Sequence, residues 1–544
     1  SGVVRGMKPG AQYKYRLLAG GEELFRNDPY ARIVTSSVGE SVVYDDQAFD
    51  WGDDDFQMAP WNELVIYELH VGTFNDRNPD GPGTLDHAAE RLDYLAELGV
   101  NAVSMMPLSE FAGDFSWGYN PAYPFAIESA YGGPDAFKRF VKAAHARGIA
   151  VLTDVVYNHF GPSDLELWRF DGWGEGDGGG IYFYNDHRAD TPWGMTRPDY
   201  GREEVRNYIR DNARMWLGSF RCDGLRWDGT VFIRYKDFWK SAGSELPDGW
   251  TLMQEITHEM GEKYPGALMI AEDLQGDAHL VEPVDAGGAG FGAQWDSLFV
   301  HPIRAALEVM SDDERNMYDV AEAIGHSYTL DAFSRVVYTE SHDEVANGRA
   351  RLPEEIHEGD ALSWESKKRS TLGAAAVLTA PGIPMLFQGQ EIVEDEWFQD
   401  TVPLDWSRLE PLGGIRTMYR DLIALRRNLS GTTRGLSGQT VRVHHVNHND
   451  KLIAFVREKE GGPSDTTVVV LNFANRAYDD YRIGLPNPGT WHVRFNSDWN
   501  GYGSDFGDHP AHAVNADGEG HDGEAYSGSI SIGPYTALII SQAE

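Results

Sequence analysis

The sequence predicts an α/β protein built on a (β/α)8 barrel, with β modules at both ends. From Leu64 onward an apolar strand, a loop and an amphipathic helix recur as a unit, the pattern of a parallel sheet closed into a barrel. Four strand endings each carry a carboxylate: DVVYNH around Asp154, DGLRWD ending at Asp228, IAED containing Glu272, and ESHDE containing Asp343. In a barrel of this kind, catalysis happens at that edge. Before and after this region the texture changes to short alternating runs separated by turn residues, which read as antiparallel strands.

Residues 1–57 (QYKYRLL, RIVTSS, SVVYD) form the first β module. Its strand Gln12 to Leu18 is reached so early that the module reads as truncated. The barrel is expected over 58–430. LVIYELHVGTF precedes a helix over 85–98, NAVSMMP a helix over 134–147, and IAVLTDVV a long insertion. FRCDGLRW leads to a helix-like stretch near Phe232, and the strands Leu268 to Ala271 and Val336 to Thr339 follow. GIPMLFQG then precedes a last helix over 415–427. The insertion, about 159–200, is rich in Gly, Trp and Asp (DGWGEGDGGG, DTPWG), a composition common in functional loops. Residues 431–544 (VRVHHV, LIAFVRE, TTVVVLNFA, WHVRFNSD, SISIGPYTALIIS) read as an all-β sandwich.

The 544 residues are 41% hydrophobic, enough for several cores. A formal charge of −39, from 85 acidic and 46 basic residues of which 11 are Lys, argues against a nucleic-acid partner, because a polyanion would be repelled. An uncharged substrate is indifferent to it. The same balance suits solubility at high salt, or simply an acidic soluble protein. A single cysteine, Cys222, excludes an internal disulfide and reads as a small buried hydrophobe. No apolar run is long enough to predict a membrane span, and SGVVRGMKPG lacks the pattern of a signal peptide. The expected location is cytoplasmic.

Asp228 and Glu272 end different strands, and neighbouring strand ends bring such carboxyls within several ångströms. Glycosidic cleavage needs that arrangement: a separation of about 5–5.5 Å lets one carboxylate attack the anomeric carbon while the other protonates the leaving oxygen, with retention. Crowded acids also drive their pKa values apart, so one stays protonated near neutral pH. Asp343 could grip hydroxyls and steady charge on the ring. Arg226 shares a strand face with Asp228 and would keep it ionised. His159 and His342 add hydrogen bonds, and Trp117 and Tyr119 in SWGYN offer aromatic surface to a sugar. Any one strand-end acid alone is more often a turn former or helix cap. His70 in ELHVG is open between a core histidine and a site residue, and the charge run from Asp312 to Arg315 reads as solvated.

With those segments in order, the chain resembles the α-amylase family of glycoside hydrolases and transglycosidases over nearly its whole length. The resemblance implies Asp228 as nucleophile, Glu272 as general acid/base and Asp343 as transition-state stabiliser. It further implies Asp154, Asn158, His159, Arg226 and His342 as subsite or supporting residues and Tyr119 as a stacking platform. The insertion resembles the family's B domain, and the N-terminal module the end of a β-sandwich carried by some members. An α-glucan is the implied partner; no organic cofactor is implied, and a structural Ca2+ near Asn158 is known among relatives. AEDLQGDAHLVEPVDAGGAGFG, Gly229, ESHDE and FNSDWNGYG are similar to the α-1,4-glucan branching enzymes. ELHVGTF and DVVYNHFGP are closer to the malto-oligosyltrehalose trehalohydrolases, FQGQEIVEDEW departs from branching enzymes, and Trp227 is bulky for its position. The expectation is a branching enzyme, with a hydrolase (an α-amylase or trehalohydrolase) as the alternative. A non-catalytic glucan-binding member, the remote alternative, would have lost catalytic acids that this chain keeps.

Overall fold

A computed structural model describes residues 4–161 and 165–543. Eight parallel strands close a barrel: β1 (Ile66–Leu69), β2 (Ala102–Met105), β3 (Ala150–Val155), β4 (Gly224–Trp227), β5 (Leu268–Ala271), β6 (Ala293–Trp295), β7 (Arg335–Val337) and β8 (Ile383–Phe387). Each pairs with the next in sequence, and β8 closes on β1 through Met385 opposite Ile66. Successive residues point to opposite faces of the sheet. Ile66, Leu152, Ile270, Trp295, Val336 and Met385 thus fill the barrel interior, while Tyr67, Val103, Val151 and Trp227 pack outward against the helices.

Six of the seven strands expected individually fall inside the segments quoted for them, and Val336 to Thr339 is shifted to Arg335–Val337. β6 has no counterpart among the quoted segments. Its three residues, AQW, are too short to show a period, and its membership rests on pairing with β5 and β7. The helix expected over 85–98 is two, Leu85–Ala89 and Leu92–Leu98, offset at Glu90 and Arg91. The other two run Gly133–His145 and Gly413–Arg426. Near Phe232 there is only a short helix, Thr230–Arg234, and the long cover for β4 is Pro247–Lys263.

The N-terminal segment contributes two two-stranded antiparallel sheets, Gln12–Tyr13 with Ser41–Val42 and Tyr15–Ala19 with Glu22–Arg26. It is anchored to the barrel by fully buried Lys138, whose ammonium donates to Asp46 at 2.6 Å. Between β3 and the helix Glu203–Arg214, the described residues of the insertion form only isolated bridges; 162–164 lie outside them. Arg197, fully buried, replaces regular pairing. It donates to the carbonyls of Arg188 at 2.7 Å, Tyr235 at 3.1 Å and Lys236 at 3.0 Å, tying the insertion to the loop after β4.

The C-terminal module is a six-stranded antiparallel sheet packed with a two-stranded one. A buried pair, Lys368 to Asp498 at 2.7 Å, fastens it to the barrel helix Trp364–Thr379. No helix among the described residues is long and apolar enough to cross a membrane.

Candidate active site

Register places the two central acids. Trp227 of β4 sits opposite Ala271 of β5, so the residues that follow, Asp228 and Glu272, leave the barrel side by side. The ladder continues one step further, with the Asp228 amide donating to the Val155 carbonyl and the Glu272 amide to the Trp227 carbonyl, each at 3.0 Å. Asp154 is likewise opposite Arg226 on adjacent strands.

Arg226 is the hub. Fully buried beneath the acids, it donates from Nη1 to Asp154 Oδ2 at 2.9 Å, Asp228 Oδ1 at 3.1 Å and the Tyr119 hydroxyl at 3.3 Å, and its Nη2 lies 3.6 Å from Glu272 Oε2. Its guanidinium rests 4.1 Å from the ring centroid of Trp295 at the top of β6. Asn158 Nδ2 donates to Asp228 Oδ2 at 2.6 Å, and the Gly229 amide donates to Glu272 Oε2 at 2.5 Å. Gly229 has φ +49°, and an added Cβ would stand 2.7 Å from Asn158 Nδ2, so a side chain there would collide with the group that orients Asp228.

These contacts divide the two acids. Burial raises the pKa of Glu272 to about 7; Arg226 works against this, and the charges of Asp228 and Asp343 add to it. Burial also raises Asp228, but Arg226 and the Asn158 amide favour its charged form. The balance leaves both carboxyls above their ordinary range, with the hydrogen bonds from Arg226 and Asn158 directed to Asp228. Asp343 stands across the cavity with 42% of its side chain exposed, 3.4 Å from His342 Nε2. Burial would lower the pKa of His342, yet Asp343 and Glu68 outweigh it and raise it to about 9; Glu68 Oε1 lies 2.7 Å from His342 Nδ1.

Asp228, Glu272, Asp343, His342, Trp117 and Tyr119 line one cavity of about 260 Å3. Tyr119 stacks on His342 at 5.0 Å and donates to Asp154 Oδ2 at 2.5 Å. Asp154, Asn158 and Arg226 form the buried floor beneath. His159 is also buried, hydrogen-bonded to Asn158 and covered by Trp193 at 4.4 Å; burial lowers its pKa to about 3, so it is neutral. His70 does not line the cavity. Its Nε2 donates to the Ser116 carbonyl at 3.0 Å and lies 3.0 Å from the Tyr131 hydroxyl, and its Nδ1 lies 3.1 Å from the Thr73 hydroxyl, supporting the loop that carries Trp117 from below.

Trp193, Gly229, Val231, Phe232, Phe238 and Asn347 complete the lining; the sequence drew attention to Gly229 and to none of the others as a site residue. DTPWG, within the insertion, held the only signal for Trp193. A larger cavity of about 770 Å3 adjoins the first, sharing Trp117 and Asn347 and bounded beyond them by Arg349, Glu396 and Trp397. Asn158 directs its oxygen to His159 and its nitrogen to Asp228, and no group of three or more His, Cys, Asp or Glu among the described residues could hold a metal ion.

The α-amylase catalytic-domain family model matches residues 69–169, and the model of the α-amylase C-terminal all-β domain matches 443–543. A 1,4-α-glucan branching enzyme of Pseudoalteromonas atlantica is 30% identical over 576 residues, covering 99% of this chain and 76% of its own. A 1,4-α-glucan branching enzyme of Salinibacter ruber is 29% identical over 584 residues, covering 100% of this chain and 89% of its own. A pullulanase of Anoxybacillus, solved with maltotetraose, superposes with a TM-score of 0.74 at 21% identity, over 98% of this chain and 79% of that one.

Proposed function

Because this chain belongs to the α-amylase family of glycoside hydrolases and transglycosidases, we propose that it is a retaining α-glucan enzyme that cuts α-1,4 bonds and passes the severed chain to a sugar 6-hydroxyl. The observation that carries the chemistry is the register of β4 and β5, which sets Asp228 beside Glu272 over one cavity, with burial raising the pKa of Glu272 to about 7. Asp228 attacks the anomeric carbon as Glu272 gives its proton to the departing glycosidic oxygen, and a glycosyl-enzyme ester results. Glu272, now ionised, takes the proton of the incoming hydroxyl. That oxygen then displaces Asp228 from the opposite face, restoring the original anomeric configuration.

Arg226 and Asn158 hold Asp228 in its attacking geometry, and Asp343 with cationic His342 grips the ring on the far side of the cavity. Transfer rather than hydrolysis is supported by the branching-enzyme relatives aligned over nearly the whole chain and by the segments AEDLQGDAHLVEPVDAGGAGFG and ESHDE.

Incubation with amylose tests the proposal. Branching yields new α-1,6 linkages by NMR with few new reducing ends. Reducing ends that rise without α-1,6 linkages, on amylose or on maltooligosyl-trehalose, would instead establish a hydrolase. The Asp228→Asn variant is expected to lose several orders of magnitude in rate in either assay.

A further inference from the structure

The segment FNSDWNGYG has no part in the chemistry above, yet it builds a separate cavity, of about 460 Å3, on the C-terminal module. None of its lining residues borders the catalytic cavity. Trp499 is 48% exposed there and is nonetheless fixed. The indole lies so close over the backbone of Gly501 that an added Cβ would stand 2.5 Å from the ring. Its other support is Tyr502, edge-on at 4.9 Å and 86°, whose hydroxyl is anchored to Asp421 of the last barrel helix at 3.0 Å. The neighbouring Asp498 is held by buried Lys368.

The rim is polar. Asp508, in the left-handed region at φ +51°, and His512 are exposed beside the indole, and His512 makes no hydrogen bond or ion pair among the described residues. The one cation lining the cavity, Arg494, is occupied by Ser541 Oγ at 2.9 Å and by the Ala543 carbonyl. An exposed carboxylate, Asp508, whose one hydrogen bond among the described residues is a long one from the Asn500 amide at 3.5 Å, without a free cation beside it rejects anions, and the polar rim does not suit a lipid or an apolar helix. A rigid aromatic face beside hydroxyl-binding acceptors and donors suits a neutral sugar ring, whose C–H face stacks while its hydroxyls are bound at the edge.

We propose that this cavity is a second carbohydrate-binding site, which takes a glucosyl unit of an α-glucan chain on Trp499, with Asp508 and His512 binding its hydroxyls. The inference rests on the α-glucan reading of the catalytic site. It gives the module a task of its own, holding polymer near the barrel without entering the reaction.

Migration of the full chain through native gels containing amylose tests it, with rates on amylose and on maltoheptaose measured in parallel. Trp499→Ala is expected to lose most of the retardation, roughly tenfold in apparent affinity, and to slow on amylose while keeping its rate on maltoheptaose. Trp499→Tyr, which retains a stacking face, is expected to recover part of both. Equal retardation of parent and Trp499→Ala overturns the site alone. A parent that cleaves amylose but is not retarded also overturns the site while sparing the catalytic reading, and a parent that does neither overturns both.

Discussion

In the proposed mechanism, Glu272 sets the basic limit of activity. Its carboxyl must arrive protonated, and burial holds its pKa at about 7, so cleavage of amylose is expected to decline as pH rises past that value. A glycosyl fluoride needs no proton for its leaving group to depart, so its rate of first-step cleavage should stay level over the same range; a matching decline would remove Glu272 from the acid role. That Asp228, Glu272 and Asp343 would meet at one cavity was legible in the sequence because each lies at or shortly after the end of an apolar strand, where position implies the barrel mouth. Their partners were less so. Glu68 opens ELHVG, inside the strand Ile66–Leu69, and looks like any strand residue, yet its contact with His342 joins positions 274 residues apart. Trp193 and Phe238 lie in loops without a period, so only the folded chain reveals that they face the acids. His70 stood in a suggestive segment and supports the loop from below.

At the scale of elements, the hairpin of strands Ser109–Phe111 and Pro121–Ile127 presents the loop bearing Trp117 and Tyr119, and it contains two buried carboxyls. Glu110 and Glu128 share the Ser129 hydroxyl, at 3.3 Å and 3.4 Å, and a single hydroxyl proton cannot serve both. Burial, together with Glu128, raises Glu110 to about 8, and burial raises Glu128 to about 7. Both values exceed those of the unfolded chain. The native state therefore binds more protons, and stability is fully present below about pH 4.5 and is lost as pH climbs through 7 and 8. Each proton contributes a slope of up to about 1.4 kcal/mol per pH unit within that window. Melting curves from pH 5 to 8 should fall more gently for Glu110→Gln than for the parent, and parallel curves would refute the assignment. Elements of ordinary length were readable from periodicity. β6 was not, since three residues carry no period and only its neighbours make it a strand.

At the scale of the whole molecule, the charge of −39 is spread over a chain whose carboxylates outnumber its cations nearly two to one. Repulsion among surface carboxylates is screened within about 10 Å at 0.1 M salt and about 3 Å at 1 M. The melting temperature is therefore expected to rise from low to molar KCl; a fall would show that the ion pairs lost to screening outweigh the repulsion relieved. The order of modules was plain from composition, whereas their fastening was hidden, because Lys368 and Asp498 meet across 130 residues and neither is unusual in its local sequence. Barrel closure has a further bearing, on synthesis. Tyr67 of β1 meets Glu391, just past β8, across 324 residues. While the ribosome makes the intervening chain, the outer edge of β1 has no partner, and an unpaired parallel strand is an invitation to wrong pairing. The last strand delivered is the one that seals the first, so a chain stalled before Ile383 leaves the translating ribosome with an open, adhesive sheet.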